Sequence, residues 1–190
     1  MESENIDIAL VQEPHSFKGT LPGFPSSYRI FYCQNFETAK AAIIVRNINI
    51  STFLDLNYLD YNLVTVRMTI DKLSYFFVSY YFEPFKNIDS DLQKINQVFS
   101  NTPTNRLVWA MDANSESETW YSLSSDSRGT KLTEFISSHN LFVINRLSAA
   151  AFSAHKKRSA IALRRTQTVN NKKVMRADEF SEFSTSGVRR

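Results

Sequence analysis

Apolar residues over the first 146 positions fall into short strand-length runs and two helical repeats. Ile6, Ile8, Leu10 and Val11 make one run, and residues 41–46 (AAIIVR) make a second. Residues 64–70 (VTVRMTI) alternate apolar with polar, the period of a strand with unlike faces. Residues 73–82 (LSYFFVSYYF) are rich in aromatic side chains, which suit a long central strand. Residues 107–111 (LVWAM) form a further strand that ends at Asp112. Ile88, Leu92, Ile95 and Phe99 recur at helical spacing and share one face, and Ser90 with Gln93 has capping-box spacing. Leu132, Phe135 and Ile136 mark a second helix, between Asp126–Gly129 and His139–Asn140, and residues 141–144 (LFVI) return to a strand. A strand-rich first half followed by alternating helices and strands predicts an α/β or α+β sandwich.

From 147 onward the periodicity fades into a stretch rich in Lys, Arg, Ser, Thr and Asn, read as disordered or loosely helical. The expected organisation is therefore a folded body over 1–146 and a tail over 147–190. Charge divides at the same place. Residues 1–146 hold 12 Lys and Arg against 16 Asp and Glu, whereas 147–190 hold 10 against 3. A basic tail can bind nucleic acid through phosphates or be a non-specific extension, and composition does not separate the two. The 15 Phe and 8 Tyr supply much of the expected core. The single Cys33 excludes an internal disulfide and a cysteine-based zinc site. The acidic start has no basic region of the kind that opens a signal peptide, and no apolar run is long enough to span a membrane. An intracellular protein, nuclear or cytoplasmic, is the expectation.

A few residues have side chains suited to chemistry, each with a plainer alternative. Glu13 follows the first apolar run, where a carboxylate can hold a divalent cation that also needs phosphate oxygens; taken alone, it is more commonly a solvated turn residue ahead of Pro14. Asp112 and Asn114 end the LVWAM strand as an acid and an amide two residues apart, able to orient a water and a phosphate oxygen or simply to close the strand in an Asx-turn. Tyr81 ends the aromatic strand, where a phenol can serve a phosphate or the core. Asp126 fits a helix N-cap, and Arg128 beside it can meet a phosphate or face solvent. His15, His139 and His155 have neither zinc-ligand spacing nor a paired nucleophile, and no phosphate-binding glycine pattern is present.

In order and spacing these segments resemble one family. IALVQEP (8–14), the loop KGTLPGFP (18–25), AAIIVRN (41–47), VSYYFEP (78–84), WAMDANS (109–115), Trp120, DSRG (126–129) and LFVIN (141–145) are together similar to the endonuclease domain of non-LTR (LINE-type) retrotransposons, within the endonuclease/exonuclease/phosphatase superfamily. The resemblance covers residues 5–146. It implies a DNase-like layered sandwich, two packed sheets flanked by helices, and metal-assisted hydrolysis of DNA phosphodiesters to prime reverse transcription. Glu13 would be the ligand of Mg2+ (or Mn2+), Tyr81 would assist at the phosphate, Asp112 would align the attacking water and Asn114 would orient the phosphate. Arg128 is the candidate DNA contact, and DNA and a reverse transcriptase domain of the same polyprotein are the implied partners, with no membrane.

Three departures shape the expectation. The family's first strand, bearing an Asn, has no counterpart before Glu13. Met111 stands where the family has Gly. The closing Asp-bearing strand and Ser-Asp-His motif are replaced by residues 158–165 (RSAIALRR) and a tail with no Asp-His pair, as a shifted reading frame would produce. The chain is thus expected to lack first and last strands, and to nick DNA poorly or not at all. The alternatives are a catalytically inactive nucleic-acid-binding domain and, less favoured, a sugar-phosphate or inositol phosphatase of the same superfamily.

Overall fold

The computed structural model describes residue 1 and residues 6–70, 72–102, 106–144 and 160–165, the last six by their backbone. Strands β1 (Ile8–Gln12), β2 (Arg29–Phe31) and β3 (Ala41–Val45) form an antiparallel sheet in the order β1-β3-β2. Strands β4 (Ser51–Leu54), β5 (Leu63–Ile70), β6 (Leu73–Tyr81), β7 (Leu107–Asp112), β8 (Leu141–Val143) and β9 (Ala160–Arg165) form a second sheet in the order β4-β5-β6-β7-β9-β8. Helices α1 (Ile88–Ser100) and α2 (Ser127–Ser138) complete the described residues' α-helical content. Every strand pairing is antiparallel except β6 with β7. Parallel neighbours need a long crossover, and α1 provides it.

The period of two sorts side chains into two layers. Val64, Val66 and Met68 of β5 and Tyr75 and Phe77 of β6 meet Ile8, Ile43 and Val45 between the sheets. Val78 and Tyr80 of β6, with Leu107, Trp109 and Met111 of β7, face the other way, against Ile95, Phe99, Leu132 and Ile136 of the helices. Strand β3 is buried throughout because Ala42 on its far face is also covered, by Leu21 and Ala39. The result is the expected layered sandwich, two packed sheets with helices outside. Among the described residues no helix is long and apolar enough to cross a membrane.

Several details differ from the sequence expectation. Strands β2 and β4 are three and four residues long, too short for a periodicity to register. The N-cap of α1 is Asn87, whose side chain accepts from Asp89 N, while Ser90 Oγ donates to the Asn87 carbonyl. The Ser90–Gln93 pair therefore lies inside the helix and caps nothing. Within the stretch assigned to the tail, Ala160–Arg165 forms a strand hydrogen-bonded to β7 on one side and β8 on the other. Its short apolar core (AIAL) is hidden in the sequence by the basic and polar residues around it. The rest of the expected tail, His155 included, lies outside the described residues.

Asp126 caps α2 as expected, its Oδ1 accepting from Gly129 N at 2.6 Å. The same residue straps the preceding loop to the helix. Its N–H donates to the Glu116 carbonyl at 3.0 Å, and its Oδ2 accepts from Glu116 N at 3.1 Å. This brings the Glu116 carbonyl so close that a Cβ on Gly129 would lie 1.8 Å from its oxygen. Gly129→Ala is therefore expected to destabilise the fold by about 1–3 kcal/mol or more, as overpacking against backbone does, despite Ala's better helix propensity. Urea unfolding followed by circular dichroism checks this.

Candidate active site

The site is assembled by backbone pairing at one end of the sandwich. The β1–β3 ladder continues one step past Gln12, with Glu13 N donating to the Lys40 carbonyl at 2.9 Å. On the facing sheet, Tyr81 and Asp112 are register partners at the carboxyl ends of the parallel pair. Phe82 N then donates to the Asp112 carbonyl at 3.0 Å, and Tyr81 N to the Asn62 carbonyl at 2.9 Å.

A half-buried clamp fixes the two sheets in this relation. Gln12 Nε2 donates to Ser79 Oγ at 2.9 Å and to the Ala110 carbonyl at 3.3 Å, and Ser79 Oγ donates to the Val11 carbonyl at 3.0 Å. Gln12 precedes Glu13 by one residue, and Ser79 and Ala110 precede Tyr81 and Asp112 by two. Within β6 and β7 a step of two returns to the same face, so Tyr81 and Asp112 project towards the facing sheet.

The structure brings four predicted residues together. Tyr81 is nearly buried, and its phenol is pushed up to about 12, first by burial and then by the charge of Glu13, with Asp112 adding to the effect and a hydrogen bond from Asn114 opposing it. At neutral pH Tyr81 is thus a neutral hydroxyl that can donate. Asn114 Nδ2 donates to the Phe82 carbonyl at 2.8 Å, and Asn114 N donates to Asp112 Oδ1 at 3.2 Å. The Asx-turn and the functional grouping therefore coexist. Glu13 has φ of 47° and Asn114 of 43°. Asn tolerates that region, but Glu does not, least of all before proline. The local strain at Glu13 is held by its ladder bond to residue 40 and by its side-chain partner.

That partner, Lys40, is one the sequence did not reveal. Its Nζ lies 3.2 Å from Glu13 Oε1 and 5.1 Å from the Tyr81 ring centre. Gln12 and Ser79 were also missed, although a polar residue at an inward strand position is a usable signal. Arg128, the candidate DNA contact, also makes hydrogen bonds within the protein. Its Nη1 donates to the Lys86 carbonyl and its Nη2 to the Glu83 carbonyl at 3.2 Å, so it holds the loop that follows Tyr81. His139 caps α2, with Nδ1 2.9 Å from the Phe135 carbonyl and Nε2 2.9 Å from Asn96 Oδ1. Tyr80, beside Tyr81, points into the helix layer and donates to Asp91 Oδ1 at 2.7 Å; burial raises the Tyr80 phenol well above its ordinary value and pushes the Asp91 carboxyl up. The free Cys33 is buried.

Glu13 and Asp112 offer carboxylate oxygens and Asn114 an amide. No group of three or more His, Cys, Asp or Glu side chains suited to a metal occurs among the described residues. This donor set does not form a protein-only cage. It fits a hard cation that keeps water and takes phosphate oxygens, as Mg2+ does.

A family model described as endonuclease-reverse transcriptase matches residues 75–184, more than half of the chain. Among solved structures, the endonuclease domain of TRAS1, a telomere-specific non-LTR retrotransposon, is similar with a TM-score of 0.73 and 28% identity, over 86% of this chain and 75% of that one. A humanized D. rerio TDP2 is similar with a TM-score of 0.50 and 12% identity, over 86% of this chain and 72% of that one, a likeness of fold alone. No curated protein matches the sequence.

Two predictions follow from the geometry. Spectrophotometric titration, with Tyr81→Phe to assign the signal, should place the Tyr81 phenol near 12, and Glu13→Gln should lower it towards the usual value of 10. Because the folded value is the raised one, this group's contribution is intact below pH 10 and is lost as pH rises from 10 towards 12. Ser79→Ala takes away the acceptor of one Gln12 amide proton and a second donor to the Val11 carbonyl, and should cost about 1–3 kcal/mol in chemical unfolding.

Proposed function

Because the chain belongs to the endonuclease–reverse transcriptase family, we propose that it hydrolyses phosphodiesters in DNA with a divalent cation, Mg2+ or Mn2+. The fold is that of a non-LTR retrotransposon endonuclease domain. The observation that carries the reading is the convergence of Glu13, Tyr81, Asp112 and Asn114 on one end of the sandwich.

Glu13 would hold the cation, which would supply charge that offsets the build-up on the phosphate. Asp112 would orient a water and accept its proton as the oxygen bonds to phosphorus and the bond to the leaving sugar oxygen breaks, that oxygen taking a proton from solvent to become a hydroxyl. Tyr81, kept protonated by its surroundings, donates a hydrogen bond to a phosphate oxygen. Asn114 positions the phosphate and fixes the loop after Tyr81. A nick made in this way leaves an end from which an attached reverse transcriptase can extend. The family description, which joins the two activities, supports such a partner in the parent polyprotein.

A specific observation favours a second reading, a catalytically inactive nucleic-acid-binding domain. The family's closing Asp-His pair is absent from the sequence, and His139 is committed to capping α2. Loss of one member of a catalytic set costs orders of magnitude in rate. The expected outcome is therefore slow, Mg2+-dependent nicking of supercoiled plasmid, abolished by EDTA, Glu13→Ala and Asp112→Ala. A folded chain that binds DNA and never nicks it would establish the second reading. Nicking that survives both substitutions would remove these residues from the reaction.

A further inference from the structure

The loop after Tyr81 carries an apolar side chain in full solvent. Phe85 is 100% exposed, although most of the aromatic residues around it in sequence are buried. Its position is set from both sides. Asn114 donates to the carbonyl of Phe82, and Arg128 donates to those of Glu83 and Lys86. Asn87 then begins α1 as its N-cap. The ring is thus displayed four residues beyond Tyr81, on backbone already ordered before any partner arrives.

Its surroundings are cationic and open. A shallow depression beside it is lined by Pro84, Lys86, Arg128 and Lys131. Lys131 is paired with Asp89 at 2.7 Å. The Lys86 ammonium donates to the phenol of Tyr61 at 2.5 Å, and the Arg128 guanidinium donates to backbone carbonyls. These last two hydrogen bonds are to uncharged groups, although the Asp91 carboxylate acts on both cations and that of Glu83 on Lys86, and both cations line the depression with the exposed ring. An apolar ring between cations suits a polyanion with flat, stackable faces better than it suits an apolar protein surface.

Resting on the DNA reading above, we propose that Phe85 is a wedge that enters the base stack next to the scissile phosphate, while Lys86 and Arg128 attract the adjoining phosphates. Inserted apolar side chains unstack a base step and bend the duplex, and unstacking is cheapest where pairing is already weakened. Phe85 would therefore help choose where the strand is opened, and a mismatched step would be preferred.

Fluorescence anisotropy of the full chain with a labelled 30-base-pair duplex in EDTA, fully paired or with one central mismatch, tests this. The unaltered chain should bind the mismatched duplex more tightly. Phe85→Ala should weaken binding about five-fold or more, in line with the loss of one base–aromatic stack, and should erase the preference, whereas Phe85→Trp should keep both. All three should melt at the same temperature, since the ring packs against nothing that holds the fold. Equal affinity of Phe85→Ala and the unaltered chain would overturn the wedge and leave the DNA reading standing. Absence of DNA binding by the unaltered chain would overturn both. Self-association that Phe85→Ala abolishes, with DNA affinity unchanged, would assign the ring to a contact between copies of the chain and overturn the wedge.

Discussion

The hydrogen bonds joining Gln12, Ser79, Val11 and Ala110 are the constraint on which the rest of the site depends. Two sheets packed through apolar side chains alone can slide, because hydrophobic contact is non-directional. A half-buried amide joined to a buried hydroxyl resists sliding, since a shift breaks directional hydrogen bonds and leaves the Ser79 hydroxyl unpaired in the interior. The clamp thereby sets the separation between Glu13 on one sheet and Tyr81 and Asp112 on the other. Its position one or two residues before each of them makes that separation short and stiff. Strain at Glu13 is tolerable for the same reason: the surrounding ladder leaves the residue no relaxed alternative.

Adjacent residues in this fold have divergent duties because of the strand period. Tyr80 and Tyr81 differ by one position and face opposite layers. Tyr80 spends its hydroxyl on Asp91, binding the sheet to α1, while Tyr81 turns to the candidate site. A slip of one residue in the β6–β7 register would exchange them and dismantle both arrangements. The aromatic density of β6 thus serves two layers at once, with Phe77 filling the space between the sheets and Phe82 packing edge-on to Tyr80 at 4.6 Å.

The candidate residues were legible in the sequence wherever a polar side chain ended an apolar run, because strand ends are where buried backbone meets solvent. Glu13, Tyr81, Asp112 and Asn114 all satisfy that rule, and ordered resemblance singled them out from the plainer turn readings. Lys40 was illegible because its importance comes from the β1–β3 register, a non-local fact that no window of residues contains. Arg128 was legible as a cation near the site, but not as a brace for the loop, since its partners are carbonyls more than forty positions away. The N-cap of α1, Asn87, was not singled out because Ser90 and Gln93, just inside the helix, also have capping-box spacing, and only the actual helix start separates them. Strand β9 escaped notice because a ladder between two neighbours can order a run of residues too short to announce itself.

Strand β9 also has a consequence for how the chain comes into being. It sits between β7 and β8, both of which precede it in the sequence. During synthesis the sheet must therefore wait for its penultimate strand after its outer one has emerged. Until residue 165 leaves the ribosome, β7 presents an unpaired edge and β8 has no neighbour on the sheet, the condition in which strands recruit other chains. A chain stopped before residue 160 would keep most of its core yet leave an open seam between β7 and β8.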